Sequence, residues 1–176
     1  MDKRKQANLR VKQSIADTLF ALLEQKSLSQ ITITEIVEGA GVARASFYRN
    51  FDTKEDVLVF LIQNAMEELT QALDFSGKTM YTYENVLLSF QCFQKYRRQL
   101  LCLYRSGLVS IFLEELNRFH ESIAGNMPSS SIEKYELYIY IGALANTAGV
   151  WLLDGEKHSA EEMASFFLSA ISGLQK

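Results

Sequence analysis

The sequence predicts an all-α protein of about nine helices, and three observations support this. Apolar residues recur at helical spacing along the chain, as in the stripe formed by Val11, Ile15 and Leu19, and no useful length alternates as a strand would. The 176 residues include one proline, Pro128, so few helices are interrupted. Capping patterns such as Thr32-Ile-Thr-Glu precede several of the apolar stretches.

Each helix can be placed from its stripe and its capping residues. Thr32–Glu35, Ser130–Glu133 and Ser159–Glu162 read as capping boxes, and Thr53 with Asp56 marks a further start. The connection at 125–131 (GNMPSSS) is the loosest in the chain. The predicted helices lie near 7–26, 33–39, 43–49, 54–74, 82–96, 98–106, 108–124, 131–153 and 159–174.

Composition and charge limit the classes of protein to which the chain can belong. The net charge of -3 and the 48% hydrophobic content are ordinary for a globular chain. A basic stretch, Lys3–Lys12, precedes an acidic body, which suits a polyanionic partner, although the stretch taken alone is better explained as a solvated terminus. Cys92 and Cys102 form no disulfide or metal pattern and fit a reducing cytoplasm, and we expect neither a cofactor nor a metal site. No signal peptide is recognisable, and the apolar run 137–153 is predicted to be a buried helix rather than a membrane span.

The segment that says most about function is residues 32–58, with the sequence TITEIVEGAGVARASFYRNFDTKEDVL. Two short helices flank a tight turn at Gly41, whose position suits a positive φ. The second short helix exposes Arg44, Ser46 and Tyr48, a mixture that fits a DNA major groove. Arginine pairs with guanine, serine reaches base edges, and tyrosine positions phosphates.

This stretch resembles the TetR family of bacterial regulators. The family pattern is approximately T-x-x-x-I-A-x-x-A-G-V-S-x-G-T-L/F-Y-x-H/Y/N-F-x-x-K-E-x-L, and the resemblance covers about the first third of the chain. Ala43 and Ala45 depart from it, since the family often has a capping Ser and a Gly there. The matching residues are Thr32, Ile36, Ala40, Gly41, Val42, Phe47, Tyr48, Asn50, Phe51, Lys54, Glu55 and Leu58.

The resemblance implies a helix-turn-helix DNA-binding domain at 1–53 and a helical regulatory and dimerisation domain at 54–176. It also implies individual contact roles. Bases would be faced by Arg44, Ala45 and Ser46, and phosphates would be held mainly by Tyr48, Asn50 and Lys54. The residues expected at the DNA interface are Thr32, Thr34, Arg44, Ala45, Ser46, Tyr48, Arg49, Asn50 and Lys54.

The last two helices are expected to form a homodimer interface. The helix at 131–153 is apolar nearly all round, and it carries small residues that permit close packing. An intramolecular core is the alternative for part of this surface. The expected interface residues are Gly142, Ala145, Gly149, Met163, Phe166, Phe167 and Ala170.

An effector pocket is expected among the aromatic residues of the body, although aromatic residues at helical spacing also fit a plain core. The C-terminal region looks like a Firmicutes-type TetR subgroup that includes the dihydroxyacetone-kinase operon activators. The candidate lining residues are Phe90, Phe93, Tyr96, Leu103, Tyr104, Phe112, Tyr138, Asn146 and Trp151.

The expected function is therefore sequence-specific regulation of transcription by a cytoplasmic, nucleoid-associated homodimer. It would bind a palindromic operator in double-stranded DNA and act as a repressor under a small-molecule effector. The alternative is an activator or coactivator that works through a protein partner. An enzyme is disfavoured, because the sequence shows no nucleophile–base pair, phosphate loop or metal cluster.

Overall fold

The computed structural model describes residues 3–73, 81–124 and 132–174. Within these ranges the chain forms nine α-helices and no strand, which confirms the predicted fold class. A short 3-10 helix, Leu28–Gln30, precedes the second α-helix. The helices are α1 (Lys3–Leu23), α2 (Ile33–Gly39), α3 (Arg44–Asn50), α4 (Lys54–Ala72), α5 (Tyr83–Lys95), α6 (Arg97–Arg105), α7 (Val109–Ala124), α8 (Glu133–Leu153) and α9 (Ala160–Leu174).

The helix starts follow the capping chemistry of the sequence. Thr53 Oγ1 accepts from the Asp56 backbone N–H at 3.1 Å, and Asp56 returns the bond by accepting from the Thr53 N–H at 2.7 Å. That backbone bond from Thr53 is the main cause that lowers the Asp56 pKa. Ser159 and Glu162 form the same reciprocal pair before α9. The box predicted at Ser130 begins outside the described residues.

Helices α1, α2 and α3 pack as a small head around a shared core. Its largest fully buried side chains are Ile15, Leu19, Ile36 and Phe47. The turn between α2 and α3 places Gly41 at φ +64°, as its position predicted. Because helices of seven residues are unstable alone, α2 and α3 persist by packing against α1.

Helices α5 to α9 form the body. Helix α5 packs along α9, and α8 contacts α5, α6 and α7. The ring of Phe90 is fully buried and makes edge-to-face contacts with Phe93, Trp151 and Phe167 at centroid distances of 5.6–6.2 Å. These aromatic residues therefore form the centre of the body's core.

Helix α4 joins the head to the body, since it packs on α1 and also on α5 and α7. A second link lies on α6, where the Arg98 guanidinium donates to both carboxylate oxygens of Glu24 at 2.6 and 2.8 Å. Helix α4 begins at Lys54, the first residue of the predicted second domain. Because α4 packs on both parts, the division of the chain at 53/54 stays a prediction.

Within the described ranges, the segment Lys134–Leu153 of α8 is long and apolar enough to cross a membrane by length and composition. Half of that window is buried inside the fold. A core helix of a globular protein meets the same criterion, and we interpret α8 in that way.

Candidate nucleic-acid interface

The exposed face of α3 holds a connected group of polar side chains centred on Arg44. Its Nη1 donates to Thr34 Oγ1 of α2 at 3.1 Å, and its Nη2 donates to the Tyr48 hydroxyl at 3.2 Å. The guanidinium also lies 5.6 Å from the centroid of the Tyr48 ring. All three residues are exposed, so the structure brings together three of the predicted contact residues in an accessible, preformed arrangement.

The other residues of α3 that were predicted to contact DNA differ in their exposure to solvent. Ala45 and Arg49 are exposed, while Ser46 and Asn50 are half-buried. Asn50 Nδ2 donates to the Ser46 backbone oxygen at 2.8 Å, which holds the Asn50 side chain against its own helix. Ala43 stands at the N-cap and supplies no side-chain bond, as its departure from the family pattern indicated.

Two residues predicted to contact DNA have structural bonds in the free protein. The Thr32 hydroxyl accepts from the Glu35 N–H at 3.2 Å and caps α2. The hydrogen bond from Lys26, followed by the bonds from Thr32, lowers the pKa of Glu35 to about 2. Lys54 Nζ donates to the backbone oxygens of Leu28 and Ile31 at 2.5 and 2.6 Å. Lys54 therefore holds the chain before α2, and only its third ammonium proton is left for a phosphate.

We expect Lys54→Met to lower the free energy of unfolding by about 1–2 kcal/mol, because two backbone carbonyls lose a charged donor. Chemical denaturation monitored by circular dichroism measures this. The exposed Lys157→Met provides the control and should stay within about 0.5 kcal/mol of the wild type. A Lys54→Met protein as stable as the control would contradict the structural role.

A basic groove beside α3 was not among the predicted site residues. It lies between the start of α1 and the end of α3, has a volume of about 750 Å³, and includes Arg4, Lys5, Asn8, Arg49 and Asn50 in its lining. The sequence pointed to the basic stretch, but it did not show that the stretch meets Arg49. The groove extends the cationic surface from α3 to α1, which suits a phosphate backbone.

A small cavity lies where α1 meets α4, α5, α6 and α7. Its volume is about 120 Å³. Four of the nine predicted pocket residues line it, namely Phe93, Tyr96, Leu103 and Phe112. The sequence did not predict that α1 and α4 would contribute to the lining, because helix contacts between distant segments are not encoded in local spacing.

The other five predicted pocket residues do not line this cavity. Phe90 is fully buried in the core, and Trp151 is buried and donates from Nε1 to the His158 carbonyl at 2.9 Å. The Tyr104 hydroxyl donates to the Ala145 carbonyl at 3.0 Å, and that of Tyr138 donates to Glu121. Asn146 is exposed on α8. Asn146 and Trp151 instead line a separate, open groove of about 360 Å³ between the end of α8 and the start of α9.

The predicted interface residues also separate into two groups. Gly142, Phe166 and Ala170 are exposed. Ala145, Gly149, Met163 and Phe167 are buried within the chain's own body, which supports the intramolecular alternative for them, and the dimer interface itself stays a prediction. A Cβ atom at Gly149 would meet the hydroxyl and ring of Tyr104, whereas one at Gly142 would meet nothing within 4 Å. Gly149 therefore permits packing of α6 on α8.

An apolar stripe remains exposed on α8 at Tyr135, Ile139, Val150 and Leu153, and it begins at Ile132, just before the helix. Phe166 on α9 is also exposed, at 65%. The spacing follows helical periodicity, so the α8 residues share one face. The exposed Gly142 and Asn146 lie between Ile139 and Val150 on this face, and an exposed apolar surface of this kind is typical of a protein–protein interface.

The all-α architecture and the two short helices with an exposed polar face define a helix-turn-helix protein. Residues 15–59 match the family model described as bacterial regulatory proteins, tetR family. The regulator EthR of Mycolicibacterium smegmatis is 33% identical over 67 residues, which are 38% of this chain and 31% of that relative. Residues 15–59 therefore carry the similarity to TetR-family regulators, and the chain aligns with only about a third of the length of its curated relatives.

Solved structures extend the similarity to the whole fold. The Lin0861 protein of Listeria innocua has a TM-score of 0.79 at 17% identity, covering 99% of this chain and 94% of that one. The dihydroxyacetone kinase operon activator DhaS has a TM-score of 0.58 at 16% identity, covering 93% and 95%. Such identities show the fold alone, so the predicted Firmicutes subgroup stays a prediction.

Proposed function

We propose that the protein is a sequence-specific DNA-binding regulator of transcription that acts in the cytoplasm on nucleoid DNA. The observation that carries this proposal is the exposed group of Arg44, Thr34 and Tyr48 on α2 and α3. Arginine held over a tyrosine ring presents its remaining N–H donors in a fixed direction, which suits bidentate pairing with guanine. The basic groove that includes Arg4, Lys5 and Arg49 supports this by supplying cations for the adjoining phosphates.

We further propose that the regulator is a homodimer on a palindromic operator. A single α3 of seven residues reads few base pairs, and a twofold pair reads two half-sites about one helical turn apart. The exposed apolar face of α8 with Phe166 supports a self-complementary contact. A dimer seated on a promoter occupies the DNA that RNA polymerase requires, so repression needs no further protein partner. Release by a small-molecule effector completes the proposed regulation.

The deciding experiment is selection from a randomised duplex library with the purified full chain at moderate salt. We expect enrichment of a palindrome whose half-sites are centred about one turn apart. Folded protein that enriches no sequence would contradict the proposal. Enrichment of a single half-site would support sequence-specific DNA binding by the protein but would contradict the homodimer.

Arg44→Ala should relax the base preference at one position in each half-site by about 1–3 kcal/mol, because a bidentate pair is lost. Affinities for the selected site and for the three single-base variants at each position measure the effect. Arg105→Ala on α6 is the matched control, since it removes an exposed arginine away from α3. An unchanged preference in Arg44→Ala would remove this residue from base reading.

A further inference from the structure

We propose that Thr34 and Tyr48 are positioning residues whose hydroxyl groups fix the orientation of the Arg44 guanidinium before DNA is bound. In that orientation Arg44 pairs with one guanine in each operator half-site. The pairing with guanine rests on the proposed function, whereas the fixed orientation does not, because its hydrogen bonds form in the free protein. Thr34 thus contributes to base preference through Arg44 and not through a DNA contact of its own.

The two hydroxyl groups approach Arg44 from different helices and bind different nitrogens. Thr34 lies in the first turn of α2 and accepts from Nη1 at 3.1 Å, whereas Tyr48 lies one turn further along α3 and accepts from Nη2 at 3.2 Å. An exposed arginine otherwise samples many rotamers, and ordering it on binding costs conformational entropy. Two bonds at separate nitrogens restrict the plane of the guanidinium before that cost arises.

The elements that carry both hydroxyl groups are fixed by the packing of the head. The Tyr48 ring packs edge-to-face on Phe47, which is fully buried, at a centroid distance of 5.5 Å. The backbone on either side of Thr34 is fixed by the reciprocal bonds between Thr32 and Glu35. The orientation of the guanidinium is therefore determined by two well-packed helices and not by the arginine's own rotamer preference.

Both partners leave the charge of Arg44 and three of its donors available. Within the described part of the chain Arg44 has no carboxylate partner, so the groups that orient it are neutral. A guanidinium has five N–H groups, of which the hydroxyl oxygens take two. One N–H on each terminal nitrogen and the Nε N–H remain. Guanine presents two acceptors in the major groove, O6 and N7, which a pair of donors on one oriented guanidinium matches.

Base preference distinguishes a positioning residue from a direct contact. Each hydroxyl group accepts from Arg44, so its own proton is still free to donate to a phosphate. Loss of a phosphate contact weakens binding to all sequences alike, because phosphates carry no sequence information. Loss of the positioning bond instead weakens binding only where Arg44 meets guanine.

Thr34→Val keeps the shape of the side chain and removes its hydroxyl group. At the base position that Arg44→Ala identifies, the preference for guanine should fall about fivefold, while affinities for the other three bases should change by less than about twofold. Thr34→Ser should retain the preference because it retains the hydroxyl group. Thr70→Val is the matched control, since it alters an exposed threonine of α4.

Two results with Thr34→Val would overturn the positioning role. An equal loss of affinity for all four bases would assign Thr34 to a phosphate contact. Tighter binding to the guanine site would show that Thr34 competes with DNA for Arg44.

Tyr48→Phe tests the second hydroxyl group and serves alone should Thr34→Val fail to fold. The ring remains, so its contact with Phe47 is retained. We expect the preference for guanine to fall about fivefold, in addition to any uniform loss of affinity from a missing phosphate contact. A uniform loss with an unchanged preference would overturn the role of Tyr48 in positioning.

A double-mutant cycle shows whether Thr34 acts through Arg44. Thr34→Val should have no effect on affinity for the guanine site in the Arg44→Ala background, because no guanidinium remains to be oriented. Additive losses of the two substitutions would show that Thr34 contacts DNA independently and would overturn the inference.

Nitrogen relaxation of arginine side chains in the free full chain separates this inference from the proposed function, because it needs no DNA. We expect the order parameter of the Arg44 Nε–H to exceed about 0.6 in the wild type and to fall to that of the exposed Arg105 in Thr34→Val. An Arg44 as mobile as Arg105 in the wild type would overturn the inference. A rigid Arg44 in a chain that selects no DNA sequence would refute the proposed function and leave the positioning of Arg44 intact.

Discussion

Gly149→Ala is expected to lower the free energy of unfolding by about 2 kcal/mol, whereas Gly142→Ala in the same helix should be neutral or slightly stabilising. The added methyl group at Gly149 would overlap the hydroxyl and ring of Tyr104, with Tyr104 Cε1 only 2.8 Å away. That tyrosine is fixed by its hydrogen bond to the Ala145 carbonyl, one turn before Gly149. The ring moves only by losing the bond and part of its packing against α8.

Thermal and chemical denaturation of the two alanine variants at equal protein concentration measure the difference. Replacing Tyr104 by leucine in the Gly149→Ala background should recover part of the loss, because the overlap disappears. A double-mutant cycle with Tyr104→Leu gives the coupling between the two positions. Equal stability of Gly142→Ala and Gly149→Ala would show that Gly149 does not serve the packing of Tyr104.

The contrast between these glycines shows what a sequence pattern can resolve. Helical spacing and capping residues located all nine helices of the described chain, since both signals are local. The direction in which α8 faces depends on its neighbours in space. Gly149 and Val150 are adjacent in sequence, yet the first is buried against α6 and the second is exposed. An almost uniformly apolar helix gives no polar face from which to fix its orientation.

The helix-turn-helix was predictable in greater detail because its motif specifies both a turn and a helix face. The motif placed Arg44, Thr34 and Tyr48 on the exposed surface, and the structure adds that they bond to one another. It did not reveal the bonds from Lys54 to the carbonyls of Leu28 and Ile31, because those partners lie more than twenty residues away. Long-range partners of a single side chain leave no periodic signal.

The small cavity lined by Phe93, Tyr96, Leu103 and Phe112 was the least predictable feature for the same reason. Phe93 and Phe90 lie on the same helix and are both aromatic and buried, yet only Phe93 reaches the cavity. The difference depends on where α4 and α1 cross the body. Composition therefore indicated an apolar interior, and only the packing of helices from both parts of the chain separates core from cavity.

Ile139→Arg is expected to convert the proposed homodimer to a monomer and to weaken binding to the selected operator by at least about a hundredfold. Ile139 is 63% exposed in one chain and lies near the middle of the apolar stripe on α8. Pairing of two such stripes would bury Ile139 against its symmetry mate, where two arginines would bring like charges together without compensating partners. A monomer then binds each half-site alone and loses the gain in affinity from linked sites.

Sedimentation velocity and operator titration of the same samples measure both effects. The substitution removes little packing within the chain, so the unfolding transition of the monomer should still be cooperative. Leu9→Arg on α1 is the matched control, because Leu9 is an exposed leucine that lies away from the α8 stripe. It should remain dimeric. An Ile139→Arg protein that sediments as a dimer would place the interface elsewhere, since no dimer that buries this stripe tolerates a pair of unmatched charges at its centre.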